Sequence, residues 1–178
     1  MTNIETRAYD TDLEVRADTD GRTICGICVP YDVEQRIHSS LTEVFRRGAF
    51  ANVARAAHRV KLLVGHDAQA LPIGRATLLR EDERGLYGEF RVSNTSRGTE
   101  ILELVKDGSL TELSIGFQPL KDKRRPDGVI ERIAAHLAEV SLVTFGAYGQ
   151  AAQVVGVRDQ SITPNLDAVQ DILKEIRR

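Results

Sequence analysis

The stretch LTELSIGF, residues 110–117, carries a serine on an alternating run. In an extended chain Thr111, Leu113, Ile115 and Phe117 share one face, and Leu110, Glu112, Ser114 and Gly116 share the other. A serine hydroxyl attacks a carbonyl only when a base takes its proton and a third group orients that base. Ser114 therefore needs a histidine, and the chain has four: His38, His58, His66 and His136. His38 sits in a polar stretch, and His58 lies among polar neighbours in the basic segment ARAAHRV and reads as a surface residue. His66 ends the apolar run VKLLV, directly after a glycine. Strand ends are rigid yet partly open, which suits a catalytic base. Taken alone, His66 also reads as a hydrogen-bonded histidine at a turn.

The orienting acid is Asp67 or Glu139. Asp67 is the immediate neighbour of His66, so on an extended chain it faces the other way. Glu139, in HLAEVSLV, has Leu137, Ser141 and Val143 as its same-face neighbours on a regular strand. A carboxylate in such a row is costly to bury without a partner, and an imidazole N–H would satisfy it while fixing the ring's tautomer. An exposed glutamate on an edge strand reads equally well when this residue is judged alone. His136, three residues from Glu139, falls on the opposite face of a regular strand.

Other chemistries have weaker support. Cys25 and Cys28 form a C-x-x-C, but they lie among Ile24, Ile27 and Val29 in a strand-like run rather than at a helix start, where a dipole would lower a thiol pKa. A structural zinc site needs two further ligands at finger-like spacing, and none follows, so the pair reads as two small packed side chains. There is no H-E-x-x-H, no phosphate-loop motif and no G-x-S-x-G. The reading includes no cofactor and no metal.

The elements that must position Ser114 are short strands. The chain has 178 residues, 42% apolar and 28% charged, with a formal net charge of −2, so neither composition nor charge suggests a nucleic-acid binder. No apolar run approaches the ~20 residues needed to cross a bilayer, and the N-terminus does not read as a secretory signal. Residues 4–17 and 23–29 read as strands joined by a turn at Asp18–Gly21, and a polar loop follows Pro30–Asp32. Helical spacing of Phe50, Val53, Ala54 and Ala57 predicts a helix within 45–57. Strands follow at 59–64, 73–79 and 85–92, then a turn at 94–98 and a helix over 99–107 with Gly108 as its C-cap. Residues 121–128 read as an exposed loop, 130–144 as a long strand and 153–157 as a last short one. The division expected is a domain over 1–158 and an amphipathic helical tail over 159–178. In the tail, Pro164 opens a stripe of Leu166, Val169, Ile172, Leu173 and Ile176. The fold class expected is α+β: an antiparallel β-barrel flanked by a few short helices.

Three stretches, in order, carry a resemblance: EVFRRGAF followed by a strand and GHD, then LVKDGSLTELSIGF, then LAEVSLVTFGA. Together they resemble the capsid maturation (prohead) serine proteases of tailed phages, a family similar in fold to the herpesvirus assemblins, over roughly residues 10–157. The resemblance implies a serine endopeptidase with His66 as base, Ser114 as nucleophile and Glu139 as third member. The family often continues Glu-Val-Ser-Leu-Val with a proline and an Ala-Asn-Pro turn, whereas this chain continues Thr144-Phe145-Gly146-Ala147. The implied partners are the major capsid protein and the scaffold protein, both also implied substrates together with the chain itself, inside the immature capsid in the host cytoplasm. Neither nucleic acid nor membrane is an implied partner. A homodimer is one state the herpesvirus relatives allow. By analogy with them, the loop bearing Arg124 and Arg125 is a candidate for the oxyanion site. A catalytically inert capsid-assembly module of the same fold is the competing reading.

Overall fold

The computed structural model describes residues 4–10, 13–16 and 20–144. The chain runs through β1 (Glu5–Asp10), β2 (Glu14–Arg16), β3 (Thr23–Pro30), β4 (Gln35–His38), β5 (Leu41–Phe45), a 3-10 helix (Val53–Arg59), β6 (Lys61–Val64), β7 (Gly74–Glu81), β8 (Gly85–Val92), α1 (Ser96–Lys106), β9 (Glu112–Arg124) and β10 (Ile130–Val143). The strands form one sheet in the order β1-β9-β10-β6-β7-β8-β3-β2, with β5 also on β10 and β4 on β5. The sheet curls into a half-barrel, which brings β3 against β1 and β9.

The barrel expected to be antiparallel is a mixed sheet. β10 pairs antiparallel with β9, but parallel with both β5 and β6. Parallel neighbours cannot be joined by a tight hairpin. The connection from β6 to β10 accordingly runs through β7, β8, α1 and β9. Among the described residues there is one α-helix and one 3-10 helix, and no helix is long and apolar enough to cross a membrane. The expected strand at 153–157 and tail at 159–178 lie outside the described residues.

Local physics explains the other shifts. Residues 4–17 split in two because β1 pairs with β9 while β2 pairs with β3. The region expected as a helix over 45–57 begins as the end of β5, and helical structure starts only at Val53, with a kink at Ala56 (φ −135°, ψ 30°). Phe45 and Phe50 stack with ring centroids 5.5 Å apart. The polar loop after Asp32 is a hairpin of β4 and β5. The charged run at 121–124 continues β9, because Asp122 faces Arg132 and Lys123 faces Glu131 across the ladder. Helix α1 starts a turn early, with the Thr95 hydroxyl accepting from Gly98 N–H at 3.0 Å.

The inner face of β9 anchors the core. Leu113, Ile115 and Phe117 are fully buried, as are Leu62 of β6 and Val140 and Leu142 of β10. Each such side chain contributes roughly 1.5–3 kcal/mol on burial. A one-residue slip of β9 would turn that whole set outward and Ser114 inward. Core packing therefore fixes the face from which Ser114 projects.

Candidate active site

β6 carries the histidine. After Val64 the chain reverses through Gly65 (φ 62°) and His66 (φ 59°), both in the left-handed region. The Asp67 N–H donates to the Val64 carbonyl at 3.3 Å and closes the turn. Glycine adopts this conformation freely, whereas at His66 it is unfavourable by roughly 1–2 kcal/mol and needs compensation. Hydrogen bonds hold the turn on several sides. Gly65 N–H donates to the Leu142 carbonyl at 2.9 Å, His66 N–H donates to Ser141 Oγ at 3.1 Å, and Asp67 Oδ1 accepts from the N–H groups of Gln69 and Ala70. Asp67 thus shapes the loop and is not the partner of the ring.

The ring projects over the β9–β10 pair. His66 Nδ1 lies 2.6 Å from Glu139 Oε1, and Nε2 lies 2.5 Å from Ser114 Oγ. An ionised carboxylate only accepts, so Nδ1 carries the proton and donates to Glu139. That leaves Nε2 to accept from the Ser114 hydroxyl. The second oxygen, Glu139 Oε2, accepts from Ser141 Oγ at 2.7 Å. Ser114 and Ser141 are directly paired across the ladder, and Ala8 of β1 pairs with Ser114 on its other side. Ser114 is 1% exposed, and the His66 side chain is 24% exposed. One hydroxyl, one imidazole and one carboxylate form a connected row that can move a proton from Ser114 Oγ to His66 while Glu139 holds the ring.

A family model described as caudovirus prohead serine protease matches residues 11–165. The chain belongs to this family. It is a serine protease with a role in capsid maturation. It is similar to the prohead protease of Enterobacteria phage HK97, at 27% identity over 178 residues that cover 98% of this chain and 76% of that protein. The solved structure of the bacteriophage T4 capsid assembly protease shares the fold, with a TM-score of 0.52 at 10% identity, covering 80% of this chain and 95% of that one.

The other residues of interest in this prohead protease divide clearly. His38, His58 and His136 are exposed and outside the row. The expectation that His136 faces away from Glu139 fails because β10 bulges between Leu137 and Glu139. Leu137 pairs with Phe117 and turns inward, while His136 pairs with Gln118 on the face that bears Ser114. Leu137 is therefore not a same-face neighbour of Glu139. Gly116 lies on the face that bears Ser114. It pairs with Glu139, and a Cβ built on it would meet Glu139 Oε1 at 2.3 Å. The absent side chain makes room for the carboxylate.

Arg124 and Arg125 are not near the row: ten residues of strand from Ser114 is about 33 Å. Arg125 is paired there with Glu34 and Asp127. Cys25 and Cys28 are buried, which pushes both thiols up, so neither is an activated nucleophile. The contacts of Ser141 had no counterpart in the reading of the sequence. Its spacing of two from Glu139 was the available signal, because i and i+2 share a strand face.

Proposed function

We propose that Ser114 is the nucleophile, His66 the general base and acid, and Glu139 the group that orients His66. The observation carrying this reading is the pair of short contacts at the two ring nitrogens, 2.6 Å to Glu139 and 2.5 Å to Ser114. As Ser114 Oγ bonds to the peptide carbonyl carbon, its proton passes to His66 Nε2, and Glu139 stabilises the imidazolium. His66 then gives the proton to the leaving amine, and water releases the acyl group by the same route in reverse.

The substrates in this reading are the scaffold protein or the scaffolding segment of the major capsid protein, and the chain itself. The setting is the immature capsid in the host cytoplasm, and a homodimer is the assembly state proposed. The curled sheet is read as a variant of the herpesvirus assemblin barrel. Residues 1–158 are taken as the protease domain and 159–178 as an amphipathic tail that anchors the chain or is removed by self-cleavage. Deleting 159–178 should change incorporation into proheads or assembly state; no change in either would end the tail reading.

The test is co-expression of wild type and Ser114→Ala with the cognate capsid and scaffold proteins, followed by intact-mass analysis of every chain. Truncations present with wild type and absent with the variant are expected. Identical masses with normal shells would instead favour a non-catalytic assembly module.

A further inference from the structure

We propose that Ser141 is a positioning residue of the site, locking both the backbone of His66 and the carboxylate of Glu139 through one hydroxyl. This inference rests on the triad reading and deepens it. Ser141 Oγ accepts from the His66 N–H at 3.1 Å and donates to Glu139 Oε2 at 2.7 Å. Its residue is fully buried, so bulk water cannot replace either bond.

The two bonds act on different degrees of freedom. A glutamate held at Oε1 alone can rotate about its last torsion, which has a broad profile. Pinning Oε2 as well fixes the carboxylate plane and aims Oε1 at Nδ1. The bond to His66 N–H acts on the main chain, at a non-glycine residue held at φ 59°. If that residue relaxed out of the left-handed region, the ring would swing off the line between Glu139 and Ser114. Position 141 reaches both because β10 lies between β9 and β6, with Ser141 paired to Ser114 on one side and to Leu63 on the other. A structural serine would serve one neighbour; this one joins the carboxylate to the turn that carries its partner ring.

The experiment uses the full chain and a fluorophosphonate probe, read by intact mass. The probe's P–F bond breaks, a P–O bond forms at Ser114 Oγ, fluoride leaves, and the Ser114 proton goes to His66. Wild type should label and Ser114→Ala should not. Ser141→Ala should label about 10²-fold more slowly at equal folded concentration, the size of effect expected of a small misplacement. The second readout is the proton spectrum. Wild type should show a strongly downfield His66 Nδ1–H resonance, and Ser141→Ala should lose it.

Wild-type labelling rate together with a retained resonance in Ser141→Ala would overturn the proposal. Failure of wild type to label at Ser114 would count against the triad reading, and the resonance would then decide the role of Ser141 alone: its loss in the variant supports the lock, and its persistence removes it. Should Ser141→Ala not fold, Ser141→Cys keeps the shape with a weaker donor, and an intermediate rate and a shifted resonance are expected. A rate and spectrum equal to wild type in Ser141→Cys would count against the lock.

Discussion

Two buried or partly buried glutamates show how differently one side-chain type is used in this sheet. Glu43 on β5 is fully buried and accepts four hydrogen bonds from two arginines: Arg7 Nε at 2.5 Å and NH2 at 3.1 Å, Arg132 Nε at 2.9 Å and NH2 at 2.7 Å. Both guanidiniums also lie near the Phe117 ring, at 5.4 and 5.6 Å from its centroid. Burial works against the Arg132 charge, but Glu43, with Asp122 and Glu5, outweighs it and raises the Arg132 pKa. Glu139 accepts instead from an imidazole and a hydroxyl. Guanidinium does not give up its proton in a protein, so the Glu43 cluster is electrically fixed. An imidazole can both accept and release a proton, so the Glu139 row has a group able to pass one on. The donors, rather than the carboxylates, separate scaffold from chemistry.

The contrast can be broken at either end. Glu139→Gln should cost the largest factor, about 10⁴-fold in peptide cleavage, because an amide no longer selects the tautomer that leaves Nε2 free. Its melting temperature should move little, and comparing cleavage rates at equal folded concentration checks both points. Glu43→Ala should do the reverse. It removes the fully buried partner shared by two guanidiniums, leaving them only the less buried Glu5 and Asp122, and should lower unfolding free energy by about 3 kcal/mol in urea titrations, while the remaining folded protein cleaves normally. Loss of cleavage without loss of stability in Glu43→Ala would merge the two networks into one.

Gly116→Ala sharpens the comparison at finer scale. The new methyl meets the end of the Glu139 side chain, within 2.3 Å of Oε1 and 3.0 Å of Cδ. The carboxylate should yield before the sheet does, giving about a 10²-fold slower cleavage at near-wild-type stability. The smallest effect belongs to Asp20, which has an arginine partner like Glu43 but sits in solvent. The hydrogen bond from Arg91 holds its carboxyl down at about 2 against an ordinary 3.8. Because the folded value is the lower one, its stabilisation is present above about pH 4 and fades as pH falls toward 2. Arg91→Ala should remove that acid-side slope from melting curves taken between pH 2 and 5 and leave cleavage untouched.

The three residues of the row were marked as candidates by their settings: Ser114 alternates with an apolar face, His66 follows a strand and a glycine, and Glu139, if buried, needed a polar partner; a turn histidine and an exposed edge glutamate fitted the same settings. The stretches around them supplied the family, and with it the roles proposed. The parallel pairing of β10 was not legible, because alternation marks a strand without naming its remote neighbour. The bulge beside Glu139 was hidden too, so Leu137 and His136 were assigned to the wrong faces. Glu43 fell in the stretch read as a polar loop, and its arginine partners at positions 7 and 132 come from distant parts of the chain. The contacts of Ser141 depend on the left-handed backbone at His66, which only the folded turn reveals.

The placement of β10 between β9 and β6 also bears on timing. The chain is made in the order His66, Ser114, Glu139, and the last of these reaches the first through a parallel ladder pairing residue 139 with residue 61. Such long-range parallel contacts form late and slowly. Under the proposed roles, a growing or half-folded chain holds the base and the nucleophile with no carboxylate to align them, and completing the sheet would switch the site on. On refolding, the amide protection of Leu62 and Leu63 and the recovery of Ser114 reactivity should rise with one rate constant.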